Sequence, residues 1–201
     1  MTKSYLPKEL ERLIQSLSKL PGIGKATASR LSLYLMKKPA DLSVEIAKTL
    51  IEARKNVKIC PNCNNFMFDN KCSCSDSTRD NDILCIVENT TDVMSIENSG
   101  EYNGQYHVLQ GLLSISQGID PNDLKIDQLI SRVKIRKFKE IILATDPTSD
   151  GEFTAQYIHE KIKDLCPMIT RIAIGVPIGS EVNYIDKNTL AKSIIDRRKI
   201  S

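Results

Sequence analysis

Ile83-Leu84-Cys85-Ile86-Val87-Glu88 decides how this chain folds. Five apolar residues in a row, three of them β-branched, show no polar alternation. A strand buried on both faces reads this way, and such strands belong to parallel sheets covered by helices. Tyr106-His107-Val108-Leu109, Ile141-Ile142-Leu143-Ala144 and Ile169-Thr170-Arg171-Ile172-Ala173-Ile174 have similar character. Between and after them, the apolar spacing predicts helices over 90–98, 122–137, 151–164 and 187–198. Strands alternating with helices predict a mostly parallel α/β sheet. Ligand sites of such sheets lie beyond the carboxyl ends of the strands. Glu88 and Asp146 both fall at that position.

Upstream of residue 83 the pattern changes. Leu10, Leu13, Ile14 and Leu17 recur at helical spacing, and Leu20-Pro21-Gly22-Ile23-Gly24 interrupts them with turn residues. Ala28, Leu31 and Leu35 then suggest a second helix, and residues 42–57 a third, with apolar positions 42, 46, 47, 50 and 53. Glycines in the turn would let a phosphate approach without a Cβ clash, and the free amides opening the next helix would receive it. Gly22, Gly24, Lys25 and Arg30 are the candidate DNA contacts. Such contacts read backbone and not bases. A plain αα-hairpin uses the same residues only to turn the chain.

Charge sharpens that choice. The chain of 201 residues has 28 Lys+Arg and 25 Asp+Glu, a formal net charge of +3. Residues 1–58 hold 12 basic and five acidic residues, a net +7, whereas the remainder holds 16 and 20, a net −4. A basic head on an acidic body suggests a polyanion at one end. The 41% hydrophobic and 26% charged content excludes a disordered or fibrous chain. No apolar run is long enough to span a membrane, and Met1-Thr2-Lys3-Ser4-Tyr5-Leu6-Pro7-Lys8 lacks a signal-peptide core, so a cytoplasmic location is expected.

Four of the six cysteines lie within 15 residues: Cys60-Pro61-Asn62-Cys63 is a CxxC, and Cys72-Ser73-Cys74 a CxC. Four thiolates satisfy tetrahedral zinc, and the intervening polar loop is too small to order itself by burying a core. A redox disulfide between Cys60 and Cys63, or unbound thiols, are the alternatives. With every ligand from protein, the zinc site would be structural.

Glu88, Asp146 and Asp150 could bind Mg2+ beside a phosphate. Asp146 and Asp150 could equally form the turn and cap the helix that follows. His107 lies in an apolar run and reads as a satisfied core histidine. Arg132-Lys134-Arg136-Lys137-Lys139 reads as a solvated face.

The ordered set of segments resembles the bacterial recombination mediators of the RecR family over nearly the whole chain. It runs from Leu20-Pro21-Gly22-Ile23-Gly24 through the cysteine cluster ending near Arg79-Asp80 and Ile86-Val87-Glu88. It continues with Asp92-Val93-Met94-Ser95-Ile96-Glu97, Gly100-Glu101-Tyr102 and Tyr106-His107-Val108-Leu109. Ile142-Leu143-Ala144-Thr145-Asp146-Pro147-Thr148, Gly151-Glu152, Thr170-Arg171-Ile172-Ala173 and Gly175-Val176-Pro177-Ile178-Gly179 complete it. The resemblance implies a multi-module α/β protein. Its parts would be a helix-hairpin-helix at 1–57, a four-Cys zinc finger at 58–79, a Toprim domain at 80–175 and a short, helical C-terminal segment at 176–201. It implies no enzymatic activity of its own, and a homo-oligomer, a dimer or a tetrameric ring, that clamps duplex or gapped DNA. The partners it implies are RecO and in some bacteria RecF, which together help load the RecA recombinase onto gapped DNA coated by single-strand-binding protein. The acidic surface around Glu88, Asp146 and Asp150 would meet a basic partner.

Three positions depart from the family pattern. The second cysteine pair is CxC and not CxxC. The usual Pro-Lys after the second turn glycine is Lys25-Ala26, which moves the basic side chain about 100° around a helix. Catalytic Toprim enzymes carry Asp-x-Asp, and this chain has Asp146-Pro147-Thr148. The alternative function, a Mg-dependent nuclease or primase with Glu88 as acid/base and Asp146 as metal ligand, therefore lacks its second carboxylate.

Overall fold

The computed structural model describes residues 5–67, 71–197 and 199. Two compact units divide the chain, residues 1–57 and 58–201.

The first unit is three helices, α1 (Lys8–Leu17), α2 (Lys25–Lys37) and α3 (Ala40–Asn56). Helix α1 packs on α2, with Ile14 of α1 and Ala28 of α2 buried. Gly22 in the turn between them has φ +77°, a conformation that side-chain-bearing residues avoid. The apolar positions expected to pack α3 do not bury it, for no residue of α3 is buried in this unit.

The second unit begins with a hairpin of β1 (Lys58–Ile59) and β2 (Phe66–Met67), followed by a short 3-10 turn at Ser73–Ser75. Its body is a four-stranded parallel sheet of β3 (Ile83–Val87), β4 (Gln105–Val108), β5 (Glu140–Ala144) and β6 (Met168–Arg171), in the order β4-β3-β5-β6. Helices α4 (Thr90–Ser99), α5 (Ile126–Ile135) and α6 (Ser149–Ile162) connect the strands, and α7 (Lys187–Ile195) follows. The uninterrupted apolar run of β3 has the cause expected of it. Leu84 and Ile86 pack into one core with Leu129 and Val133 of α5 and Ile158 and Ile162 of α6. Cys85 and Val87 point to the other face, against Val93 of α4, Tyr106 and Val108.

The elements differ from the sequence expectations in a few places. Strand β6 stops at Arg171, although the Ile172 amide still donates to the Leu143 carbonyl at 3.0 Å. Helix α5 is shorter than 122–137, and α7 ends at Ile195; residue 198 of the expected final helix lies outside the described residues. Helix α6 is capped by Thr148, whose hydroxyl accepts from the Gly151 amide at 3.0 Å, and not by either aspartate. The basic block is not a solvated face throughout, because Arg132 is buried. His107 is a core histidine but not a satisfied one. It is fully buried, and neither ring nitrogen has a hydrogen-bond partner in good geometry.

Gly151 is where the loop after β5 closes most tightly. A Cβ there would lie 1.9 Å from the Asp146 carbonyl oxygen, a backbone atom that cannot swing away. Gly151→Ala is expected to destabilise the second unit by about 1–3 kcal/mol, the usual range for overpacking. A lowered thermal midpoint measures this, and an unchanged midpoint would contradict the close approach.

Candidate metal centre, acidic strand ends and hairpin turn

The four clustered cysteines come together. All four are buried, and their sulfur atoms lie within 4.8 Å of one another. Cys60 Sγ is 3.6 Å from Cys74 Sγ, and Cys63 Sγ is 3.1 Å from Cys72 Sγ, so the close pairs run between the CxxC and the CxC. Ligands at about 2.3 Å from a tetrahedral ion stand about 3.8 Å apart, so the set needs only slight adjustment to close on one. The CxC works because Cys72 is extended and caps the 3-10 turn at Ser73–Ser75, with the Cys74 amide 3.4 Å from its sulfur. Further N–H groups face the sulfurs: the Asn62 amide approaches Cys60 at 3.4 Å, and Asn62 Nδ2 approaches Cys74 at 3.5 Å.

Three of the thiols, Cys63, Cys72 and Cys74, act on one another. Hydrogen bonds with Cys72 and Cys74, and then burial, push the Cys63 thiol up. Contacts from Cys63 and Cys72 hold Cys74 down, as the favoured thiolate. Without a cation one thiolate is stabilised at the expense of its neighbours; a dication is what lets all four ionise. This donor set fits a metal ion. Among the described residues all six cysteines are free, Cys85 and Cys166 lying apart in the sheet core.

The knuckle is bound to the edge of the parallel sheet. The Val108 amide on β4 donates to the Cys63 carbonyl at 2.8 Å, and Gln110 Nε2 to the Asn64 carbonyl at 2.8 Å. Just beyond the cysteines, the Asp80 amide donates to the Asn103 carbonyl, and Arg79 Nη1 to the Gly104 carbonyl at 2.9 Å. Arg79 also pairs with Glu97, which accepts from Tyr106 Oη at 2.6 Å. An open edge strand is thereby covered.

Glu88 and Asp146 end neighbouring parallel strands. Val87 pairs with Ala144, so the acids leave the sheet side by side. Burial, and then the charges of Asp146 and Asp92, push the Glu88 carboxyl above its ordinary value, opposed in part by a hydrogen bond with Asn89. Asp92 joins this acidic end without having been singled out. Its carboxylate accepts from the Asn89 amide at 2.7 Å and completes a capping box on α4, and the Asn-x-x-Asp spacing was the available signal. Arg171 supports the same loop, donating to the Leu143 carbonyl at 2.8 Å, to the Asp146 carbonyl at 3.4 Å and to Glu152 at 2.7 Å. Asp150 lies in the first turn of α6. Among the described residues Glu88, Asp146 and Asp150 do not close into a metal-binding group as the cysteines do.

In the helical unit, Gly24 caps α2 with no side-chain hydrogen bond to the helix. The first amides of α2 are left to other partners, which makes its start receptive to an anion. A Cβ at either Gly22 or Gly24 would meet nothing within 4 Å, so the turn is open to approach. Lys25, the first residue of α2, and Arg30 are both exposed. They are five positions apart, about 140° around the helix and about 7.5 Å along it. Lys25 thus sits at the turn with the glycines, and Arg30 further along. No helix among the described residues is long and apolar enough to cross a membrane.

Comparisons with known proteins agree with this layout. Residues 10–54 match the family described as RecR, helix-hairpin-helix; residues 82–173 match the Toprim domain; residues 175–198 match RecR, C-terminal. Among curated relatives, the Recombination protein RecR of Clostridium perfringens is 42% identical over 197 residues, 98% of this chain and 99% of the relative. Proteins of the same name from Heliobacterium modesticaldum and Desulfatibacillum aliphaticivorans are each 41% identical, over 98% and 96% of this chain and 99% and 98% of the relatives. With a helix-hairpin-helix, a four-cysteine cluster and a parallel Toprim sheet in this order, the chain belongs to the RecR family.

Proposed function

We propose that this chain is a non-enzymatic mediator of DNA repair and recombination that holds DNA as an oligomeric clamp. With RecO, and RecF where present, it would help load the RecA recombinase onto gapped DNA coated by single-strand-binding protein. The observation that carries this is the uncapped start of α2 behind the open Gly22–Gly24 turn, set in the segment with net charge +7. Backbone amides with Lys25 and Arg30 suit phosphate and not base edges, so binding is sequence-independent and sensitive to salt. The name Recombination protein RecR, shared by relatives of equal length, supports the same assignment.

Helix α3 supports assembly. Val44, Ile46, Leu50 and Ile51 are all exposed, Leu50 and Ile51 by about two thirds of their surface. A seventeen-residue helix with these apolar residues in water fits one that a second copy of the chain covers. We assign residues 1–57 to DNA contact and assembly, 58–79 to the zinc finger, 80–175 to the Toprim domain and 176–201 to the C-terminal segment.

The acids at the strand ends fit partner docking better than catalysis. Thr148 stands where a second metal carboxylate would be needed, and its hydroxyl already caps α6. Glu88, Asp146 and Asp150 form a negative surface on which a basic protein would dock rapidly. The cysteines, Cys60, Cys63, Cys72 and Cys74, would hold zinc, which orders the knuckle and performs no reaction.

Three measurements test this. Arg30→Ala is expected to weaken binding to duplex and gapped DNA and to lower the slope of log affinity against log salt by about 1. Unchanged binding with the fold intact would contradict the DNA assignment. Freshly purified protein should carry about one zinc per chain, and Cys63→Ser should lose it; protein free of metal would refute the zinc assignment. Labelled DNA incubated with the protein and Mg2+ or Mn2+ should stay intact. Cleavage that vanishes in Glu88→Gln would establish the phosphoryl-transfer alternative instead.

A further inference from the structure

Arg132 is the one Lys, Arg, Asp or Glu side chain buried among the described residues. It projects from α5 to the outer side of β4. Its Nη1 donates to the Tyr106 carbonyl at 2.6 Å, its Nη2 reaches Gln105 Oε1 at 3.4 Å, and its guanidinium carbon Cζ lies over the Phe138 ring, 5.8 Å from the centroid. Its Nε has no partner. None of these neighbours carries charge, and no carboxylate among the described residues pairs with it. A guanidinium taken out of water in this way is costly unless something compensates it.

The anionic groups within its electrostatic reach are the sulfurs of the knuckle. Burial pulls the Arg132 pKa down, and the charges of Cys63, Cys74 and Cys60 push it back up, while Arg136 opposes them. His107 sits beside Arg132 and within reach of Cys74, but burial and the guanidinium push its pKa down to about 3, so it stays neutral and adds no second cation. Four thiolates around a divalent ion leave a net charge of −2 at the site. The Val108–Cys63 backbone bond holds this site against the same outer edge of β4 that Arg132 grips two residues earlier, at the Tyr106 carbonyl.

We propose that Arg132 is the countercharge of the metal-bound tetrathiolate, so that metal binding at the knuckle and the packing of α5 on β4 stabilise each other. This rests on the four cysteines holding a dication. When the metal is present, the cation and the net negative site offset each other's burial. When it is absent the net −2 charge is gone, and Arg132 keeps only its neutral hydrogen-bond partners and the Phe138 ring. Loss of metal would then loosen the β4 edge of the sheet as well as the cysteine loop.

Two substitutions separate charge from shape in the full chain. Arg132→Gln keeps a hydrogen-bond donor and loses the charge; Arg132→Lys keeps the charge. Zinc retention is measured by competition with a chromophoric chelator, and thermal unfolding is followed with zinc bound and after it is stripped. Outer partners of metal sites typically contribute 10–100-fold to affinity, and Arg132→Gln is expected to lose zinc affinity in that range, with Arg132→Lys recovering most of it. The Gln variant should unfold at a lower temperature than wild type when loaded, and at the same or a higher temperature when stripped. A Gln variant with wild-type zinc affinity, a Lys variant as poor as Gln, or an equal loss of stability with and without zinc would overturn the proposal and leave Arg132 as a support for β4 alone. Wild-type protein that takes up no zinc would overturn the metal assignment itself, and this proposal with it.

Discussion

The in-register parallel pairing of β3 between β4 and β5 is the constraint on which the second unit depends. Leu84 to Val87 face Gln105 to Val108 on one side, and Ile83 to Val87 face Glu140 to Ala144 on the other. A slip of one residue would turn Leu84 and Ile86 away from the α5–α6 core and exchange them with Cys85 and Val87. The same register brings Glu88 and Asp146 to one end of the sheet, where burial and the Asp146 charge raise the cost of ionising Glu88. It also leaves β4 as an edge, and an edge must be covered. The cysteine knuckle covers it, through one backbone bond to Val108 and one side-chain bond from Gln110.

Charge is divided between the units in a way that suits a mediator. The basic surplus lies before the cysteines, in the segment that also holds the open-glycine turn and the start of α2. The acidic surplus lies in the sheet unit, with Glu88, Asp92 and Asp146 at its strand ends. Between them in sequence lies the segment that brings four thiols together. The two surpluses of charge thus fall on different stretches of one chain. Leu50 and Ile51 of α3 remain exposed apolar residues within the helical unit.

Much of this was legible in the sequence because each signal had a local cause. The run at 83–87 has no polar residue because both of its faces are buried. The spacing of Cys60, Cys63, Cys72 and Cys74 brings four thiols together because a 3-10 turn is enough to fold a CxC inward. What local pattern could not show depends on contacts distant in the chain. Arg132 lies in a run of basic residues that reads as surface, yet its helix turns it toward the Tyr106 carbonyl, 26 positions away in sequence. His107 reads as an ordinary core histidine, and only the surrounding elements reveal that its ring nitrogens lack partners. The cap of α6 falls to Thr148 because the Asp146 backbone closes on Gly151, leaving the aspartates free of that duty. The apolar pattern of α3 was visible, but a pattern cannot say whether its own chain or another copy covers it.

The clamp is the central claim, and it is a claim about assembly on DNA. Solution mass, measured for the zinc-loaded protein alone and with duplex or gapped DNA, tests it most directly. The account predicts a mass corresponding to two or four chains, retained or increased on DNA. A chain that is monomeric alone and remains monomeric on DNA would contradict it.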